Sequence, residues 1–145
     1  MQHLLFEVIG SPENKNRTLE IKSWPGPLIS PKTWPNNTIP KTPAGLRQMM
    51  TDEFNNALSY FLLIAEENHW WGYSLFWGIS DYIPFGPDHT CPENFYPHLH
   101  CKLGAPKGPA KRVSNTWVYT REFEYASVYV DLSNRAVSKV TWHDC

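Results

Sequence analysis

Apolar and polar residues alternate over Thr18-Leu19-Glu20-Ile21-Lys22-Ser23-Trp24, the period of a strand with one covered face. Pro25-Gly26-Pro27 ends that run. Upstream, Leu4 to Ile9 is a short apolar run that reads as a strand or a helix end, and Ser11 to Arg17 is a polar loop. Six prolines between Pro25 and Pro43 exclude regular structure there, and Trp24 and Trp34 point to an ordered loop, because disordered segments are poor in aromatics. Thr42-Pro43 has the form of a helix start, with threonine as N-cap and proline in the first turn. Leu46, Met49, Met50, Phe54, Ala57 and Leu58 follow at helical spacing. Phe61-Leu62-Leu63-Ile64-Ala65 is continuously apolar and of strand length, which predicts a strand buried on both faces. A helix followed by such a strand is the repeat unit of an α/β fold.

Glu66-Glu67-Asn68-His69-Trp70-Trp71-Gly72-Tyr73 comes next, and after it a long aromatic loop runs through Phe76, Trp77, Tyr82, Phe85, Phe95 and Tyr96. Lys102 to Arg112 reads as a Gly/Pro/Lys linker. Beyond it, residues 116–123, 126–132 and 136–142 predict three short antiparallel strands, with Glu124-Tyr125 and Ser133-Asn134-Arg135 as turns. Two units follow from this pattern: residues 1–105 with the aromatic loop, and residues 106–145 with the linker and the antiparallel element.

Composition narrows the function classes. Hydrophobic residues make up 41% of the 145 residues and aromatic residues 14%, while charged residues make up 19%, below the roughly 25% of ordinary soluble domains. The net charge of −1 gives no overall footprint for a nucleic-acid or anionic-membrane partner. No stretch reaches the ~20 apolar residues of a membrane helix. The first ten residues lack a basic region and contain Glu7, so no signal peptide is expected within this chain. Asn16-Arg17-Thr18 and Asn36-Asn37-Thr38 are sequons, making Asn16 and Asn36 candidate glycosylation sites of a secreted protein. Cys91 and Cys101 flank a Pro- and His-rich loop that a disulfide would close, leaving Cys145 as the odd thiol. His89, His98 and His100 lie near those cysteines, but the spacing matches no zinc pattern, so a disulfide ranks first, free thiols second and zinc third. No metal and no cofactor is expected.

The candidate chemistry lies around Glu66 and Glu67. Functional groups in parallel α/β architectures gather past the carboxyl ends of strands. Glycoside hydrolysis needs two carboxyl groups on opposite sides of the bond. Neighbouring strand residues point to opposite faces, so Glu66 and Glu67 would not pair with each other, and Glu20 is the candidate partner for one of them. The bland alternative is that both are solvated loop charges. Sugar rings stack on aromatic rings, which makes Trp70, Trp71, Tyr73, Trp77 and Trp24 candidate saccharide contacts, with Asn68, His69 and Lys22 as polar ones; the alternative for each ring is core packing. Lys22 shares its strand face with Glu20 and Trp24. No G-x-S-x-G, P-loop, dinucleotide-binding or H-E-x-x-H motif occurs.

Four segments appear in order: IKSWPGP at 21–27, FLLIAEENHWWGYS at 61–74, LGAPKGPA at 103–110 and VYTREFEYASVYVDL at 118–132. Together they resemble the C-terminal region of glycoside-hydrolase-like proteins with a TIM barrel, over roughly Thr18 to Trp142. The resemblance implies an α/β fold, a partial (β/α) barrel of last strands and helix followed by a small antiparallel β element. It implies a saccharide partner and a secreted or extracellular full-length protein. A whole barrel needs ~250 residues, so this chain is expected to be catalytically incomplete alone. Self-association through exposed strand edges then follows. A non-enzymatic, lectin-like module is the alternative, and a disulfide- or metal-stabilised interaction domain is a third.

Overall fold

A computed structural model of the chain describes residues 11, 13–14, 17–23, 42–73 and 97–145. Strand β1 spans Leu19–Ser23, helix α1 Pro43–Ile64 and strand β2 His69–Tyr73. A 3-10 turn follows at Pro97–His100, then β3 (Lys111–Arg112), β4 (Val118–Glu122), β5 (Ala126–Asp131), a second 3-10 turn (Arg135–Val137) and β6 (Lys139–Trp142). β1 and β2 pair in parallel, and β3-β4-β5-β6 form an antiparallel sheet in chain order. Among the described residues, this arrangement replaces the expected partial barrel.

The correction centres on Phe61–Ala65. Phe61 to Ile64 are the last turn of α1, and Ala65 is its C-cap. Leu62, Leu63 and Ile64 are each buried although they point in different directions around the helix. The Phe61 ring stacks on Trp71 of β2, 6.1 Å between centroids, while the same helix packs against β4, β5 and β6. A helix end covered on several sides has no polar stripe, so its sequence loses the 3.6-residue period and mimics a buried strand. The start of the helix follows expectation: Thr42 is extended (φ −111°, ψ 148°) and its hydroxyl accepts from Gly45 N–H at 3.2 Å.

Met50, Phe54, Leu58 and Leu62 make one helical stripe and form the core with Tyr119, Phe123, Ala126, Val128, Val130 and Val140. The strand residues among these come from the alternating inward positions of β4, β5 and β6. All three predicted antiparallel strands are present. The turn at Ser133-Asn134 is built by Asp131, whose carboxylate accepts from Ser133 N–H at 2.8 Å, the Ser133 hydroxyl at 2.6 Å and Asn134 N–H at 3.2 Å. Those bonds hold the Asp131 carboxyl below its ordinary range.

Residues 102–112 are no free linker. Tyr125 N–H donates to Leu103 O at 3.1 Å, Glu124 N–H to Ala105 O at 3.0 Å and Lys107 N–H to Glu122 O at 2.8 Å. The segment therefore lines the sheet edge and continues into β3. Gly104 is required there: its φ is +71°, and a Cβ would lie 2.4 Å from Glu124 Cβ.

The cysteine pairing also differs from expectation. Cys101 stands at disulfide distance from Cys145, with Cα atoms 4.7 Å apart and 44 residues between them in sequence. A cysteine forms one disulfide, so Cys101 does not take Cys91, and Cys145 is not the odd thiol. The sequence spacing favoured the shorter loop, whereas the antiparallel sheet brings the chain end back to the 3-10 turn. Cys91 itself lies outside the described residues.

Candidate functional site

Glu66 begins the connection after α1, and its place there is set by Arg121. This arginine of β4 is 4% exposed. Its Nη1 donates to three carbonyls at the end of the helix, Leu62 at 3.0 Å, Leu63 at 3.2 Å and Ala65 at 2.8 Å, and its Nε donates to Gly108 O at 3.2 Å. Helix ends leave carbonyls without intrahelical partners and carry partial negative charge. A guanidinium answers both needs. Burial lowers the Arg121 pKa below its ordinary value, and Glu66 partly opposes that shift. The Glu66 carboxylate lies 3.8 Å from Arg121 Nη2. The candidate carboxylate Glu66 thus lies beside the arginine that closes the helix end. Glu67 and Asn68 are exposed in the turn that follows.

The next five residues form β2, a strand that the sequence pattern does not identify. Their register against β1 sorts the predicted contacts onto two faces. Leu19 pairs with His69, Ile21 with Trp71 and Ser23 with Tyr73, and these face the helix. His69 is buried, with Nδ1 3.2 Å from Ile64 O. The Trp71 indole N–H donates to Ser23 Oγ at 3.0 Å, and its ring packs edge-on against Phe54 at 5.5 Å. The Tyr73 hydroxyl donates to Met50 O at 3.0 Å. Burial first, then Glu53, raises the Tyr73 pKa above its ordinary value; Arg135 opposes this, and Asp52 adds a smaller upward contribution. These three side chains are packing elements of the core and its margin.

The outward face is different. Glu20 pairs with Trp70 and Lys22 with Gly72. The Lys22 ammonium lies 3.2 Å from Glu20 Oε1, and both side chains are substantially exposed. Trp70 is 66% exposed, the most open of the large apolar side chains described. Beside it Gly72 contributes no side chain; a Cβ there would have as its nearest neighbour Lys22 Cγ at 4.0 Å. The result is a flat indole bordered by a step of backbone and by one acceptor–donor pair. Strand alternation placed Glu20 and Lys22 on one face, as expected. That Trp70 joins them was missed, because residues 69–73 carry aromatics on both faces and show no polar alternation. The parallel register joins these groups, and only the paired strand reveals it.

Among the described residues, no group of three or more His, Cys, Asp or Glu side chains could hold a metal ion, and no helix is long and apolar enough to cross a membrane. Trp24, Trp77, Asn16 and Asn36 lie outside the described residues. A scan against protein-family models finds no match, and a search among curated proteins finds none. The functional reading rests on the residues themselves.

Proposed function

We propose that this chain binds a saccharide, without cleaving it, on the outward face of the β1–β2 pair. The observation that carries the reading is the exposed Trp70 ring set beside Glu20, Lys22 and the bare backbone of Gly72. A pyranose has a flat C–H face that stacks on an indole and a rim of hydroxyls that both donate and accept. Glu20 accepts from such hydroxyls and Lys22 donates to them, while Gly72 leaves room for a ring to lie flat. Covering ~100 Å² of apolar surface contributes roughly 2.5 kcal/mol. Set against association costs, this corresponds to weak binding, with Kd on the order of 10 mM or weaker.

Hydrolysis is the less supported reading. Glu66 is tied to Arg121, and Glu20 is tied to Lys22, so neither stands as an uncommitted carboxylate across a cleft. The Cys101–Cys145 pair and the two sequons accord with a secreted protein.

Titration of the full chain with neutral oligosaccharides, followed by calorimetry, tests the proposal. Binding without release of reducing ends, lost in Trp70→Ala and weakened in Glu20→Ala, is the expected outcome. Binding that survives Trp70→Ala would refute it, as would hydrolysis abolished by Glu66→Gln.

A further inference from the structure

A second surface carries charge that the net value of −1 conceals. From Lys102 to Arg121 the sequence contains no acidic residue. Lys102, Lys107, Lys111 and Arg112 are all exposed along the edge segment that flanks β4. Among the described residues, Lys102, Lys107 and Lys111 have no ion-pair partner. The nearest acids by register are Glu122 and Glu124. Glu122 accepts from the Ser127 hydroxyl at 2.7 Å, and Glu124 is hydrogen-bonded to Tyr125. The strip from Lys102 to Lys111 spans at most roughly 30 Å at strand rise.

The strip ends at an ordered aromatic. The turn between β3 and β4 closes through Val113 N–H to Val118 O at 2.9 Å, with Ser114 at φ +46°. Trp117 projects from it, 51% exposed. The Arg112 guanidinium lies over the Trp117 ring, 5.2 Å from its centroid, and its Nε donates to Thr116 O at 2.7 Å. One indole face is thereby backed by the Arg112 guanidinium, and about half of the residue is exposed.

We infer that this edge is a docking strip for an anionic polysaccharide, a chain bearing uronate or sulfate groups, with Trp117 stacking a sugar ring and Lys107, Lys111 and Arg112 meeting its charges. The site and the ligand are distinct from those of the Trp70 face. Charge complementarity selects a polyanion. Arg112 selects against a bilayer, because the indole cannot enter hydrocarbon without carrying a guanidinium with it. The Cys101–Cys145 pair selects against nucleic acid, since cystines persist in oxidising, extracellular compartments.

The test is retention of the full chain on an immobilised heparin-type sulfated polysaccharide at about 0.1 M salt. Single-stranded DNA and phosphatidylserine vesicles of matched charge serve as competitors. Retention is expected, with Lys107→Gln/Lys111→Gln weakening it about tenfold. Trp117→Ala should weaken it further, and Trp117→Phe should restore it. Melting temperatures should stay unchanged in these surface variants. No retention, equal retention by the double-lysine variant, or tighter capture by DNA or vesicles would overturn the inference. Trp70→Ala should leave retention intact, which separates this outcome from the fate of the neutral-sugar reading.

Discussion

Arg121→Met removes a guanidinium from a buried site and leaves a side chain of similar length. Three carbonyls at the end of α1, those of Leu62, Leu63 and Ala65, then lose their donor. An unmet buried acceptor costs about 1–3 kcal/mol, and bonds from charged donors are at the upper end. The three share one nitrogen, so their contributions overlap rather than add. The expected loss is therefore about 3–4 kcal/mol, as for breaking a buried charged network. Urea unfolding followed by circular dichroism should show an unchanged slope and a midpoint lower by roughly 1.5–2 M, taking a slope of about 2 kcal/mol/M. Arg121→Lys keeps the charge but not the planar fork, and should lose about 1–2 kcal/mol. Glu66→Gln should cost less than about 1 kcal/mol, because that carboxylate is 34% exposed and 3.8 Å from its partner. A change below about 1 kcal/mol in Arg121→Met would refute the clamp.

Other expectations follow from the same structure. Cys145→Ser should remove about 4 kcal/mol by the chain-entropy relation for a loop of 44 residues, read as a melting temperature lower by roughly 10 °C; Cys91→Ser should change it little, and the reverse pattern would restore the shorter pairing. The raised Tyr73 pKa means the folded state favours the neutral phenol, so its contribution is complete below about pH 10 and is lost as pH rises beyond it. Tyr73→Phe should flatten that alkaline loss in a pH series of unfolding midpoints, and an identical slope would contradict it. The depressed Asp131 pKa has the opposite sign: its contribution is present above about pH 4 and fades as pH falls further, and Asp131→Asn should reduce acid sensitivity in the same series.

The parts legible in the sequence are those governed by local rules. The alternation over residues 19–23 identified β1, the Thr42-Pro43 cap located the helix start, and the three C-terminal strands with their turns followed from period and turn chemistry. What was lost depended on tertiary burial. The end of α1 is covered on several sides, which erased its helical period at Phe61–Ala65. In β2, the His69, Trp71 and Tyr73 face packs inward while Trp70 stands outward, so aromatic residues occupy both faces and hide the strand. Arg121 is a single basic residue in a strand, and nothing in its neighbours signals that a helix ends on it from some 60 residues away. The pairing of Cys101 with Cys145 depended on where the sheet returned the chain, a fact no local spacing contains.

The most direct measurement for the saccharide face is a titration of the indole N–H signals in a nitrogen-15 correlation spectrum with a neutral oligosaccharide. The Trp70 signal should shift in a saturable way while Trp71, bonded to Ser23, stays in place. Shifts confined to other indoles, with Trp70 unmoved at saturating ligand, would contradict the account.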